Sequence, residues 1–209
     1  MKKTLLAVSL LCVSLAACED KDPYKKATFA YLVKDYPTAY AGFVKLAEQG
    51  NVDAQQYLGG MLQDGKGVAP DAKQALYWYQ KAAEQGKVES QMLLGVAYYN
   101  GGNLVAQDFA LARHWYMMAA EGGNRNAQLQ LAVMDHIGQG GPADDVSAYK
   151  WLILVAGTSQ DTLRDNRVVM DAVRMQDELS GRLTEAQVEK AKGLAELWRT
   201  QHPGDNVVQ

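Results

Sequence analysis

The stretch "ALYWYQKAAEQG" (residues 75–86) decides the fold, because similar stretches are repeated along the chain. Versions of it recur as "AYAGFVKLAEQG" (39–50), "ARHWYMMAAEGG" (112–123) and, more loosely, "AYKWLILVA" (148–156). Successive copies begin 36 or 37 residues apart. Internal repeats at this spacing are typical of stacked helical hairpins, in which each unit buries its apolar face against the next.

A second segment follows each of the first three copies. These segments read "AQQYLGGMLQDG" (54–65), "SQMLLGVAYYNG" (90–101) and "AQLQLAVMDHIG" (127–138). Apolar residues three or four apart predict a short amphipathic helix in both halves of each repeat. An aspartate lies four residues before the first alanine of each copy and predicts the N-cap of the first helix: Asp35, Asp71, Asp108 and Asp144. The small residues Gly59, Gly95 and Ala132 predict close helix contacts.

These motifs resemble the Sel-one-like repeat family, whose units follow A-x-x-W-Y-x-K-A-A-x-x-G, then A-Q-x-x-L-G and G-x-G-V. Residues 75–86 and 65–68 carry the pattern closely, and the resemblance covers about residues 35–157. It implies an all-α fold, a right-handed solenoid of antiparallel, tetratricopeptide-like helical hairpins. Gly42 stands where the other copies have tryptophan, and Ala132 replaces a glycine, so the end copies are expected to act as caps.

The N-terminus predicts a secretion signal with a lipid attachment site. Two lysines and an apolar run precede Leu15-Ala16-Ala17-Cys18, which resembles the lipobox of bacterial lipoproteins. That resemblance implies a signal peptide over 1–17, a lipidated Cys18 carrying acyl chains such as palmitate, and a linker over 18–23. Glu19 after the cysteine is typical of lipoproteins sorted to the outer membrane, so we expect a location on its periplasmic face. The alternative is an ordinary signal peptide with a chance cysteine.

The rest of the chain divides into three predicted regions. Residues 24–157 form the solenoid, with an N-terminal helix over 24–34, three full repeats and a partial fourth. Residues 158–201 form C-terminal capping helices: one within 161–180 and one opened by a capping box at 184–187. Residues 202–209 are expected to be a flexible tail. The positions after each Trp-Tyr pair become fully apolar toward the C-terminus, so either the capping helices or a partner covers them.

The composition argues against several kinds of site. Without Lys2 and Lys3, 19 basic side chains stand against 24 acidic ones, so a basic nucleic-acid footprint is absent. The three histidines, at 114, 136 and 202, lack the spacing of a metal site. The glycine-rich loops match no phosphate-binding motif, and the mature chain would keep no free thiol. We therefore predict no metal and no cofactor.

One motif favours an enzyme. Ser147-Ala148-Tyr149-Lys150 fits S-x-x-K, the nucleophile motif of penicillin-binding enzymes, and a cysteine-rich branch of the resembled family is associated with β-lactam binding. The accompanying S-D-N and K-T-G elements and the cysteines of that branch are absent. A β-lactam-binding or β-lactamase-like envelope enzyme using Ser147 and Lys150 remains the alternative interpretation.

Variable positions on the first helices form the candidate binding face. Two columns of the repeat vary while the packing positions stay fixed, and aromatic and arginine side chains are favoured interface anchors. The candidate residues in these columns are Tyr40, Tyr77, Arg113, His114, Tyr149 and Lys150. The preferred interpretation is a non-catalytic scaffold or adaptor that binds an envelope protein or peptide and is held to the membrane by its lipid. A surface effector that engages a host protein is a further hypothesis.

Overall fold

The computed structural model describes residues 22–102, 105–157 and 167–202. In these ranges it contains ten helices and no strand. They are α1 (Pro23–Leu32), α2 (Tyr36–Glu48), α3 (Val52–Asp64), α4 (Ala72–Glu84), α5 (Val88–Asn100), α6 (Phe109–Glu121), α7 (Arg125–Ile137), α8 (Asp145–Ala156), α9 (Arg167–Ser180) and α10 (Glu185–Gln201). The fold is an all-α solenoid, as the repeat spacing predicts. None of these helices is long and apolar enough to cross a membrane.

The chain divides into two compact units, one ending at Ala75 and the other beginning at Leu76. The first contains α1 to α3, and its centre is an aromatic cluster. Phe43 and Tyr57 stack with ring centroids 4.8 Å apart, and Tyr31 meets both edge-on. Gly42 faces Ala27 of α1 so closely that a Cβ would lie 2.8 Å from the Cβ of Ala27. The first copy therefore has glycine in place of tryptophan because α1 occupies that space.

The predicted caps are present at both ends of the repeated helices. A carboxylate of each repeated aspartate accepts a hydrogen bond from a backbone amide three residues later, at Thr38, Gln74, Leu111 and Ser147. Caps of this type each contribute about 1 kcal/mol. Gly50, Gly86 and Gly123, which follow the ends of α2, α4 and α6, have φ values of 88°, 89° and 79°. Glycine is favoured there because other residues are strained in the left-handed region.

Glutamine of the A-Q motif has a structural role that the sequence reasoning missed. Gln55, Gln91 and Gln128 are buried, and each donates its side-chain amide to the carbonyl of an alanine eight residues earlier: Ala47, Ala83 and Ala120. The oxygen-to-nitrogen distances are 3.1 to 3.4 Å. Each glutamine thus ties the start of a second helix to the end of the first helix before it. The motif itself was visible, but its partner lies across a turn.

Small residues allow the close helix contacts that were predicted. A Cβ on Gly95 of α5 would overlap the ring of Tyr116 of α6, which is itself buried. In the next repeat, Ala132 takes the glycine's position and Leu152 takes the tyrosine's. The larger residue on one helix is therefore matched by a smaller one on its partner.

Helices α9 and α10 cover the C-terminal end of the repeats. Both pack against α8. Thr184 and Gln187 form the predicted capping box of α10, and Ala191 and Ala195 are fully buried on its inner face. Trp198 meets Trp151 edge-on at 4.7 Å. Ile153 and Leu154, the apolar pair of the last repeat, are half-buried and pack against the same core as these two helices. The predicted helix within 161–180 is described from Arg167 onward, and the part before that lies outside the described residues.

Candidate functional site

One column of the second unit places a ring or a cation against the tryptophan of each repeat. Tyr77 meets Trp78 edge-on at 5.1 Å, and His114 meets Trp115 in the same way at 5.3 Å. In the last repeat Lys150 takes this position, with Nζ 3.7 Å from the ring centroid of Trp151. We call these three residues, Tyr77, His114 and Lys150, the tryptophan-flanking column. The side chains of Tyr77 and His114 are exposed, whereas Lys150 is half-buried.

Lys150 lies in an environment that disfavours its charge. The pKa of its ammonium is lowered from 10.5 to about 8, chiefly by removal from water; the Arg113 guanidinium also lowers this pKa, while Asp135 and Asp144 act in the opposite direction. The ammonium also lies 5.5 Å from the ring of Trp198. Two indole faces therefore replace part of the water that a free lysine would have.

Arg113 does not extend freely to solvent, because it forms an ion pair with Asp135. Arg113 Nη2 lies 2.5 Å from Asp135 Oδ1, and Trp151 Nε1 donates to Asp135 Oδ2 at 3.1 Å. Asp135 is only 2% exposed. A buried carboxylate is retained when its oxygens are paired and hydrogen-bonded in this way. We call Arg113, Asp135 and Trp151 the buried ionic cluster.

The sequence reasoning missed Asp135, although a signal was present. The equivalent residues of the two earlier repeats are Leu62 and Tyr98, so Asp135 introduces a charge where those repeats have none. Arg113 likewise stands where Tyr40 and Leu76 stand in earlier copies. Both departures occur in neighbouring helices of one repeat, and opposite charges introduced together at apolar positions indicate a buried pair.

The remaining predicted residues do not share one exposed face. Tyr149 is 7% exposed and packs in the core, because α8 is covered by α9 and α10, so it does not offer a surface to a partner. Tyr40, in the first unit, is half-buried on α2. Cys18 lies outside the described residues. Of the six predicted face residues, Tyr77 and His114 are exposed, and Arg113 and Lys150 belong to or adjoin the buried ionic cluster.

The S-x-x-K residues are not arranged as a nucleophile and its base. The Ser147 amide donates to Asp144 as part of the helix cap, and the Lys150 amine lies over an indole ring. Among the described residues, no hydrogen bond joins the Ser147 hydroxyl to the Lys150 amine. A general base must lie within hydrogen-bond reach of the proton that it removes.

No cluster of three or more metal-ligating side chains occurs in the part of the chain that the structure describes. His136 Nδ1 lies 2.6 Å from a carboxylate oxygen of Asp145. This pair joins the end of α7 to the start of α8. His202 stacks on Trp198 with ring centroids 3.9 Å apart. Each of these histidines therefore packs against a structural neighbour.

A groove of about 610 Å³ runs between α7 and α9. Apolar side chains contribute to its lining from both helices: Leu129, Val133, Met175 and Leu179. Charged groups also line it: Asp171, Arg174 and Glu178 of α9, and Arg182, which follows that helix. Arg174 is engaged with Asp171 at 3.0 Å.

Comparison with protein-family models identifies Sel1 repeats at residues 52–87, 88–124 and 125–156, just over half of the chain. The chain belongs to the Sel1 repeat family. A solved Sel1 repeat protein from Oxalobacter formigenes is similar, with 29% identity and a TM-score of 0.65 over 78% of this chain and 62% of that one. A protective antigen of uropathogenic Escherichia coli with an SLR fold matches at 26% identity and a TM-score of 0.49, over 82% and 44% of the two chains. No curated protein matches.

The Sel1 matches begin half a repeat later than the hairpins predicted from the sequence. Each matched unit pairs a second helix with the first helix of the following copy, as α5 with α6 and α7 with α8. These pairs have the most extensive packing in the second unit. The chain spans less than two thirds of the length of the two solved structures named here. The resemblance to the Sel-one-like family stated from the motifs is confirmed.

Proposed function

We propose that this Sel1 repeat protein is a non-catalytic scaffold that binds a protein or peptide in the bacterial cell envelope. Sel1 repeats generally mediate protein–protein interactions, which supports this function. The observation that carries it is the tryptophan-flanking column, in which successive repeats present Tyr77 and His114 beside indole rings. Tyrosine and tryptophan are frequent interface anchors because they bury a large area and lose little conformational freedom.

The proposed location is the periplasmic face of the outer membrane, with Cys18 carrying the lipid. The lipobox-like Leu15-Ala16-Ala17-Cys18 supports it. Two or three acyl chains hold a protein stably at a bilayer, whereas one does so only marginally. A tether of this kind raises the rate of encounter with membrane-bound partners without adding a contact. Incorporation of labelled palmitate tests the anchor, and Cys18→Ser should abolish it. Incorporation in that variant equal to the wild type would refute lipidation at Cys18.

The binding function is tested by crosslinking in cells followed by purification of the full lipidated chain. The test variant is Tyr77→Ala with His114→Ala, which removes the exposed rings of the column. A matched control, Lys73→Ala with Lys190→Ala, changes two exposed helical residues elsewhere. We expect a specific envelope protein that the control retains and the column variant loses, while both variants keep wild-type helicity. Equal recovery by both variants would refute the proposed surface.

A further inference from the structure

The outward side of α1 exposes three large apolar side chains next to one another. Phe29 is 66% exposed, Leu32 is 72% exposed, and Val33, directly after the helix, is 55% exposed. Spacings of three and four residues place them on one side of the helix. The opposite side carries Ala27 and Ala30, which are buried in the first unit. The apolar side of α1 is therefore unpartnered among the described residues.

Lysines border this apolar side at both ends. Lys25 and Lys26 are exposed one turn before Phe29, and Lys34 is exposed just after Val33. Both flanking aspartates cap helices, since the Asp22 side chain accepts from the amide of Tyr24 and that of Asp35 from the amide of Thr38. A short helix with large apolar side chains and flanking lysines has the chemistry of a surface that lies on anionic lipid.

The chain before α1 also limits where this surface can be. Only four residues, 19–22, separate Cys18 from Pro23. Fully extended, they span about 15 Å. An apolar helix face at a bilayer is buried about 5–10 Å into the boundary between headgroups and acyl chains. A lipid on Cys18 would therefore hold α1 within reach of that boundary at all times.

We propose that the outward side of α1 docks on the membrane, with Phe29, Leu32 and Val33 inserted at the headgroup level and the lysines at 25, 26 and 34 contacting anionic headgroups. This inference rests on the proposed lipid anchor at Cys18. Docking fixes the orientation of the first unit on the bilayer, whereas a flexible tether alone would leave that orientation variable. It makes α1 a second, non-covalent attachment point.

The test uses the full lipidated protein reconstituted into vesicles of phosphatidylcholine with phosphatidylglycerol. Lipidated Cys18 has no free thiol, and Cys12 leaves with the signal peptide, so Phe29→Cys introduces a single site for an environment-sensitive fluorophore. Ile137→Cys is the matched site, because Ile137 is an exposed apolar residue of the second unit. We expect the label at residue 29 to shift to shorter wavelength and to be quenched by spin-labelled lipid. The label at 137 should be quenched by aqueous iodide instead.

Several outcomes separate this inference from the anchor. Vesicle flotation and mass measurement of the lipid on Cys18 report the anchor independently. A chain that floats with its lipid but leaves residue 29 as open to iodide as residue 137 would overturn docking alone, and a chain without lipid would overturn both. Lys25→Glu with Lys26→Glu should reduce lipid quenching at residue 29 only when phosphatidylglycerol is present. A spectral shift that persists in detergent and grows with protein concentration would assign the surface to a second copy and refute the membrane.

Discussion

The buried ionic cluster makes a quantitative prediction about stability. Arg113→Leu leaves the carboxylate of Asp135 buried without its cation, although the indole of Trp151 still donates to it. Breaking a buried pair by removing one partner typically costs about 3–5 kcal/mol. The Arg113 side chain is 28% exposed and the Lys150 ammonium lies nearby, so water and a second cation reduce the cost of losing the guanidinium. We expect a decrease of about 2–3 kcal/mol in the free energy of unfolding.

The double variant Arg113→Leu with Asp135→Leu should recover much of this loss. Earlier repeats already carry apolar residues in these positions, with Leu76 in the arginine's column and Leu62 in the aspartate's. Asp135→Leu alone removes the acceptor of the Trp151 indole, which costs about 1–2 kcal/mol. Because the two residues are in contact, their effects should be non-additive by about 1–3 kcal/mol, with the double variant more stable than the sum predicts.

The assay is a double-mutant cycle in urea, followed by far-UV circular dichroism. The two-state analysis holds only if the slope of free energy against urea is the same for all four proteins. Additive effects within about 0.5 kcal/mol would refute the reasoning, since they would mean that Arg113 and Asp135 do not interact energetically.

Three further predictions concern packing and protonation. Gly95→Ala should destabilise the protein by about 1–2 kcal/mol in thermal unfolding, because the overlap of the new Cβ with the buried ring of Tyr116 outweighs the gain in helix propensity. Adding Tyr116→Leu should reverse most of this loss of stability, and the absence of any reversal would refute the steric cause. Gln91→Leu should cost about 1 kcal/mol by removing the side-chain hydrogen bond to Ala83, as measured by urea unfolding; an unchanged stability would refute that role. The pKa of Lys150 is lower in the folded than in the unfolded chain, so above pH 8 the unfolded state binds more protons. The free energy of unfolding should therefore rise by about 1–2 kcal/mol by pH 10, allowing for solvent screening. Lys150→Met should abolish this rise, and an equal rise in the variant would assign the effect to another group.

Most of the fold could be predicted from the sequence because its signals are local and repeated. The aspartate caps, the terminal glycines and the capping box at Thr184 each need only a few neighbouring residues, and the period of 36 or 37 residues aligns them. The close contact at Gly95 was likewise visible as a small residue in a fixed column. Repetition served as an internal comparison that a single chain normally does not provide.

The candidate site was harder to predict because its properties depend on which helix covers which. Tyr149 lies two positions before a repeated tryptophan and Tyr77 lies one position before another, yet Tyr149 is buried by the capping helices and Tyr77 is exposed. Asp135 pairs with Arg113 of the preceding helix, and the sequence indicates this only through two repeat positions that become charged together. Burial by a helix outside the repeats and pairing between helices both depend on tertiary structure. The repeat position of a residue therefore could not show whether its side chain is an exposed anchor or part of the core.

The most direct test of the scaffold proposal is site-specific photocrosslinking in living cells. A photoreactive amino acid replaces Tyr77 in the full lipidated chain, and the same amino acid at the exposed Lys190 is the control. The account predicts a discrete crosslinked product with an envelope protein from position 77 and none of that size from position 190. The same product from both positions, or none from position 77 while the protein is folded and membrane-bound, would contradict it.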